Sequence, residues 1–162
     1  YDFKDTDLRT NEKIKSLKVI EKGPLKIGIL GVGIDPEGLM LKKNIQGLKY
    51  LDPIENANKT AAYLKKEKKC DYVICLSHLG YSYKENKVSD MILAKNSENI
   101  DLIIGGHTHT FLKKPVEVLN KNGKSVLVNQ VGWAGVWMGH LTIYFDSHRK
   151  IFFQNNLNFK IS

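Results

Sequence analysis

Three of the five histidines occupy comparable places in the sequence. His78 closes the run Val73-Ile74-Cys75-Leu76-Ser77-His78, and His107 and His109 close Leu102-Ile103-Ile104-Gly105-Gly106-His107-Thr108-His109. Each run reads as a buried strand, so each group of histidines sits at a carboxyl end, where ligands bind in open α/β sheets. If the two strands are neighbours, the three imidazoles can converge there. Gly105-Gly106 lets the chain leave the sheet sharply, and the i, i+2 spacing lets His107 and His109 approach one centre or two adjacent ones. Imidazole is the commonest protein ligand for zinc and also suits iron and nickel. A single histidine beside a strand is usually structural, but three at matching strand ends point to a metal.

The residue types leave two kinds of metal site open. One is a mononuclear three-histidine site that activates water. A two-metal site needs carboxylates to offset the charge, and only Asp35 follows a buried strand, where it also reads as a turn residue before Pro36. The remaining candidates are weaker. His140 reads as the exposed face of a strand and His148 as part of a polar turn. Trp133 and Trp137 fit either aromatic packing or the mouth of a site. Cys70 and Cys75 match neither a zinc knuckle nor a redox pair and read as buried thiols. Gly31-x-Gly33 lacks the third glycine of a dinucleotide loop.

The elements that must position these residues follow from apolar patterning. Leu17 to Ile20 and Leu25 to Val32 read as strands joined by a Gly23-Pro24 turn. Asp52-Pro53 is a helix start, with Asp as N-cap and Pro at the first helical position. Ile54, Ala57, Ala61 and Leu64 recur at helical spacing to an expected end near Lys69, before a strand at Tyr72 to Leu76. A second helix over about Ser89 to Asn96 leads into a strand at Leu102 to Ile104. This alternation predicts parallel strands with helical crossovers. From Pro115 the pattern turns to β, with Asn122-Gly123 as a hairpin turn. The strands at 116–119, 125–129, 135–145 and 151–153 are expected to pair antiparallel.

Composition bounds the function class. The 162 residues suit one domain, and no apolar run approaches the ~20 residues of a membrane span. The net charge of +8 comes from 25 cations, but only Arg9 and Arg149 are arginines. Dispersed lysine without interleaved aromatics argues against a nucleic-acid partner. The run Lys65-Lys66-Glu67-Lys68-Lys69 reads as a solvated helix end that complements the macrodipole. The polar start at Tyr1 has no signal-peptide pattern, and a processed or truncated start is expected.

Leu76-Ser77-His78-Leu79-Gly80 followed by Ile104-Gly105-Gly106-His107-Thr108-His109 resembles the second half of the calcineurin-like metallophosphoesterase domain. Within that superfamily, the segments 29–38 and 129–141 most resemble the secreted 5′-nucleotidase branch, so the resemblance covers the whole chain. It implies an α/β fold, part of a four-layer αββα sandwich, with residues 1–162 as a single C-terminal portion of the domain. It also implies two divalent ions (Zn, Mn or Fe) whose bridging hydroxide attacks a phosphate monoester, with a nucleotide as the expected substrate. By motif, His78 and His107 would bind one ion and His109 the other.

The family's Asp-x-His, Gly-Asp-x-x-Asp and Gly-Asn-His-Asp/Glu motifs do not occur in this sequence. No catalytic residue is therefore assigned within the chain, which alone is expected to bind at most one ion weakly and to lack normal turnover. The expected partners are the missing N-terminal half and a separate C-terminal nucleotidase domain, and the resemblance implies a periplasmic or secreted location. A second reading is a non-catalytic metal-binding or anion-binding regulatory module.

Overall fold

The computed structural model describes residues 1–161, apart from the side chains of residues 152–156. A six-stranded sheet forms the centre, in the order β1-β2-β3-β4-β6-β5. Its strands are β1 (Leu17–Lys22), β2 (Leu25–Gly33), β3 (Tyr72–His78), β4 (Leu102–Ile104), β5 (Val116–Leu119) and β6 (Ser125–Asn129). β2, β3, β4 and β6 run parallel, and β1 and β5 pair antiparallel at the two edges. A second, two-stranded sheet is made by β7 (Trp137–Phe145) and β8 (Ile151–Lys160).

Both crossover helices start where the sequence says they must. α1 (Pro53–Lys66) is capped by Asp52, whose Oδ1 accepts from the Glu55 amide at 2.8 Å, and Pro53 opens its first turn. α2 (Asp90–Asn96) is capped by Ser89, whose hydroxyl accepts from the Ile92 amide. α1 ends at Lys66 rather than near Lys69. The amides of Glu67 and Lys68 both turn back to the Tyr63 carbonyl, and Lys69 takes a left-handed conformation that leads out of the helix. The lysine run is also not wholly solvated. Lys65 Nζ lies 2.9 Å from Asp101 Oδ2 and donates to the Asp71 carbonyl at 2.8 Å, which ties the end of α1 to the starts of β3 and β4.

Each face of the sheet is covered by a different layer, and the period-2 alternation of β3 sorts its side chains between them. Val73 and Cys75 join Leu30, Ala57, Ala61, Leu64, Leu93 and Ile103 in a core beneath the two helices. Tyr72 and Ile74 face the other way, with Leu102 and Leu127, onto Leu141, Ile143 and Phe145 of β7. The Tyr72 and Phe145 rings meet edge-on at 5.9 Å. Helices, main sheet and hairpin thus form three layers. Cys70 and Cys75 are buried free thiols, as their apolar surroundings imply.

The antiparallel expectation holds within β5–β6 and within β7–β8, but β6 is parallel to its other neighbour, β4. After β4 the chain crosses to the sheet edge and descends as β5. It turns at Asn122-Gly123, where Asn120 Oδ1 accepts from the amides of Asn122 and Lys124, and climbs back as β6 between β4 and β5. β6 therefore ends at the same sheet edge as β3 and β4. No helix among the described residues is long and apolar enough to cross a membrane.

Candidate metal centre

The three histidines lie along that shared edge, and the structure treats them unequally. His78 is the last residue of β3, in register with Gly33 of β2. His107 lies in the loop after β4, and its ring meets that of His78 at a centroid distance of 5.1 Å and an interplanar angle of 70°. Gly106 makes this approach possible, because a β-carbon there would lie 3.1 Å from His78 Nδ1. His109 turns to a different neighbour, stacking on Trp133 at 5.7 Å and 16°. Two imidazoles therefore form a pair, and the third, two residues further along the loop, lies on an aromatic plate. Among the described residues, no three His, Cys, Asp or Glu side chains form a ligating group.

The loop that carries His107 and His109 is bent hard. Both histidines adopt positive φ, 72° and 53°, a conformation that L-residues enter at a cost and that must be held by the surroundings. Between them, Thr108 points into the protein, where its hydroxyl accepts from the Tyr81 amide at 2.9 Å. Burial lowers the pKa of His107, and the nearby His78, Lys87 and His109 lower it further. Both effects favour the neutral ring, the form in which imidazole ligates a metal.

Beneath the loop lies a buried carboxylate. Asp90, the first residue of α2, is fully buried and accepts from the Ser77 hydroxyl through Oδ1, while Oδ2 has no hydrogen-bond partner. Burial pushes its pKa up to about 6, partly offset by the Ser77 bond. Ser77 precedes His78, and Asp90 Oδ2 also abuts Gly105, at the root of the histidine loop. The patterning of α2 marks Asp90 only as an acid in a first turn. Its role beneath both histidine-bearing segments depends on packing that the sequence does not spell out. Gln130 likewise carries no signal of its own beyond being polar at the end of an apolar strand.

The other candidates fall away from the pair. Asp35 is exposed, and its Oδ1 accepts from the Glu37 amide at 3.0 Å, the arrangement of a turn residue. His140 is exposed on β7, and His148 is exposed in the turn before β8. Trp137 packs edge-on against Phe111, whereas Trp133 is 60% exposed beside His109. A cavity of about 690 Å³ opens next to His78, lined by Gly31 and Gly33 of β2, by Asn56 of α1, and by Tyr1 and Arg9 of the N-terminal segment.

The chain has relatives among known proteins. The calcineurin-like phosphoesterase profile matches residues 5–111. The chain is 33% identical over 151 residues to an apyrase of Tabanus yao, covering 82% of this chain and 25% of the apyrase. It is 28% identical to a snake venom 5′-nucleotidase of Naja atra, with 83% of this chain and 26% of that protein covered. The crystal structure of a 5′-nucleotidase precursor from Thermus thermophilus superposes with a TM-score of 0.81 at 27% identity, over 96% of this chain and 31% of that one. The chain thus spans between a quarter and a third of the length of these relatives. Since the profile runs through β2, β3 and β4 and ends just beyond His109, the match includes the paired histidines and the strands that present them, and the chain belongs to the calcineurin-like phosphoesterase family.

Proposed function

We propose that this chain is the C-terminal portion of the catalytic domain of a metal-dependent phosphoesterase of the 5′-nucleotidase type, acting on phosphate monoesters of nucleotides. The observation that carries this reading is the His78–His107 pair at the ends of neighbouring parallel strands, with His109 on the same loop. The donor chemistry fits a divalent ion in part: the imidazoles supply neutral ligands, and carboxylates must come from elsewhere. His78 and His107 would hold one ion, and His109 would contribute to a second. Such ions, when bound, would polarise phosphoryl oxygens and lower the pKa of bound water.

The chain's own residues prepare that site. Burial and the nearby positive charge of Lys87 both lower the pKa of His107 and so favour its neutral, ligating form. The upstream half of the domain brings the missing carboxylates, and a further domain grips the base. The relatives' greater length and their names, apyrase and 5′-nucleotidase, support this division, and a relative from snake venom supports a secreted setting.

The test is to express the longest polypeptide the coding sequence specifies. It should take up two Mn, Zn or Fe ions per chain and release phosphate from a nucleoside monophosphate, and His78→Ala and His107→Ala should each lose metal. Metal content unchanged in both variants refutes the site. No phosphate release, with the upstream motifs present, refutes the enzyme reading and leaves the non-catalytic metal-binding or anion-binding module.

A further inference from the structure

Gln130 is 2% exposed, and the hydrogen bonds of its side-chain amide all go to the histidine loop. Its Nε2 donates to the Gly106 carbonyl at 2.7 Å. Its Oε1 accepts from the Thr110 amide and from the Thr108 hydroxyl, the latter at 3.1 Å. The three partners are residues 106, 108 and 110, which bracket His107 on both sides and His109 on both sides. A buried amide is costly unless satisfied, so an apolar side chain would be the ordinary filler at this position. Here every bond serves the segment with two left-handed histidines, a conformation that persists only where the surroundings over-determine it.

The backbone on either side of Gln130 is anchored to the same segment. The Asn129 carbonyl accepts from the Gly105 amide at 2.8 Å, and the Gln130 carbonyl accepts from the Leu112 amide at 3.1 Å. The return of β6 between β4 and β5 is what delivers this residue to the loop.

We infer that Gln130 is a positioning residue of the metal site: a two-ended latch that sets the spacing and orientation of His107 and His109 while touching neither ring. This rests on the reading of those histidines as metal ligands. Partners that orient ligands in this way typically cost 10–100-fold in metal affinity or activity when removed.

The test uses the same longest polypeptide, with Gln130→Met, which keeps the volume without the amide, and Gln130→Asn, which keeps the amide but is one methylene too short to reach both ends. Metal affinity, the visible spectrum of the cobalt-substituted protein, kcat and KM are measured beside thermal melting. Folded variants should bind cobalt or manganese at least tenfold more weakly, show an altered cobalt spectrum, and lose kcat rather than gain KM. Affinity and kcat within twofold of the unmodified protein in either folded variant overturn the inference.

A measurement on the unmodified protein stands if both variants fail to fold. The side-chain amide signal of Gln130 should exchange slowly with solvent and move when zinc binds, whereas fast exchange and indifference to zinc overturn the latch. His107→Ala distinguishes the two levels. If it keeps its metal, the site reading fails; if it loses metal while the Gln130 variants do not, only the latch fails.

Discussion

Asp90 Oδ2 stands where a β-carbon on Gly105 would fall, so the carboxylate occupies the place of a side chain at the root of the histidine loop. Gly105 follows β4 directly, and Asp90 opens α2. The contact joins the helix that crosses from β3 to β4 to the segment that leaves β4. Through Ser77 the same carboxylate also reaches the residue before His78. One buried acid therefore braces both stretches that carry the candidate ligands.

Gly105→Ala should be poorly tolerated for this reason. The new methyl meets Asp90 on one side and comes within 3.1 Å of Gln130 Nε2 on the other, and both neighbours are fully buried. Overpacking of this kind costs about 1–3 kcal/mol, and the upper half of that range is expected because neither neighbour has room to withdraw. Urea denaturation should show a lower midpoint at unchanged slope. An unchanged midpoint would mean that the carboxylate moves freely, and the bracing account would fail.

Asp90→Asn should change how stability depends on pH. Burial raises the Asp90 pKa from 3.8 to about 6, so the folded state holds this proton more tightly than the unfolded state. The sign follows: the favourable contribution is complete below about pH 3.8 and is lost as pH rises through about 6. At neutral pH the ionised form costs the fold roughly 3 kcal/mol at most. Asn cannot ionise, and its carbonyl can still accept from Ser77. The stability difference between variant and wild type should therefore shift toward the variant between pH 4 and 7. A difference that stays flat across that window would place the ionisation elsewhere.

What was legible in the sequence and what was not divide along the range of the interactions. The strands β2, β3 and β4 announce themselves as apolar runs, and α1 and α2 by Asp52-Pro53 and Ser89, because those signals act within a few residues. The placement of His78 and His107 on adjacent strand ends followed from the crossover between them. The insertion of β6 beside β4 was hidden, since Asn122-Gly123 specifies a hairpin but not which of its strands faces inward. Gln130 reaches the histidine loop, and Trp133 the His109 ring, only through that topology. The early end of α1 was masked because the lysine run carries no signal for the turn-back of the Glu67 and Lys68 amides to Tyr63; the partial burial of Lys65 was masked because its pairing with Asp101 joins residues far apart in the chain.

The hairpin layer is held near the site by a reciprocal amide pair, and this too can be measured. Asn129 Nδ2 donates to Asn158 Oδ1 at 3.0 Å, and Asn158 Nδ2 donates to Asn129 Oδ1 at 2.6 Å and to the Leu112 carbonyl at 2.7 Å. Both side chains are buried, and Gly139 of β7 packs directly over them. Truncating one leaves the other's amide without its partner, which costs about 1–3 kcal/mol beyond the lost packing. Asn129→Ala and Asn158→Ala should each destabilise by about 2 kcal/mol. The double variant should cost at least about 1 kcal/mol less than the two together, because no orphaned amide remains. Strict additivity in the double-mutant cycle would mean that water satisfies the survivor. In that case the hairpin would be held mainly by its apolar contacts to Tyr72, Ile74, Leu102 and Leu127, and Asn129 would lose its part in fixing the strand that carries Gln130.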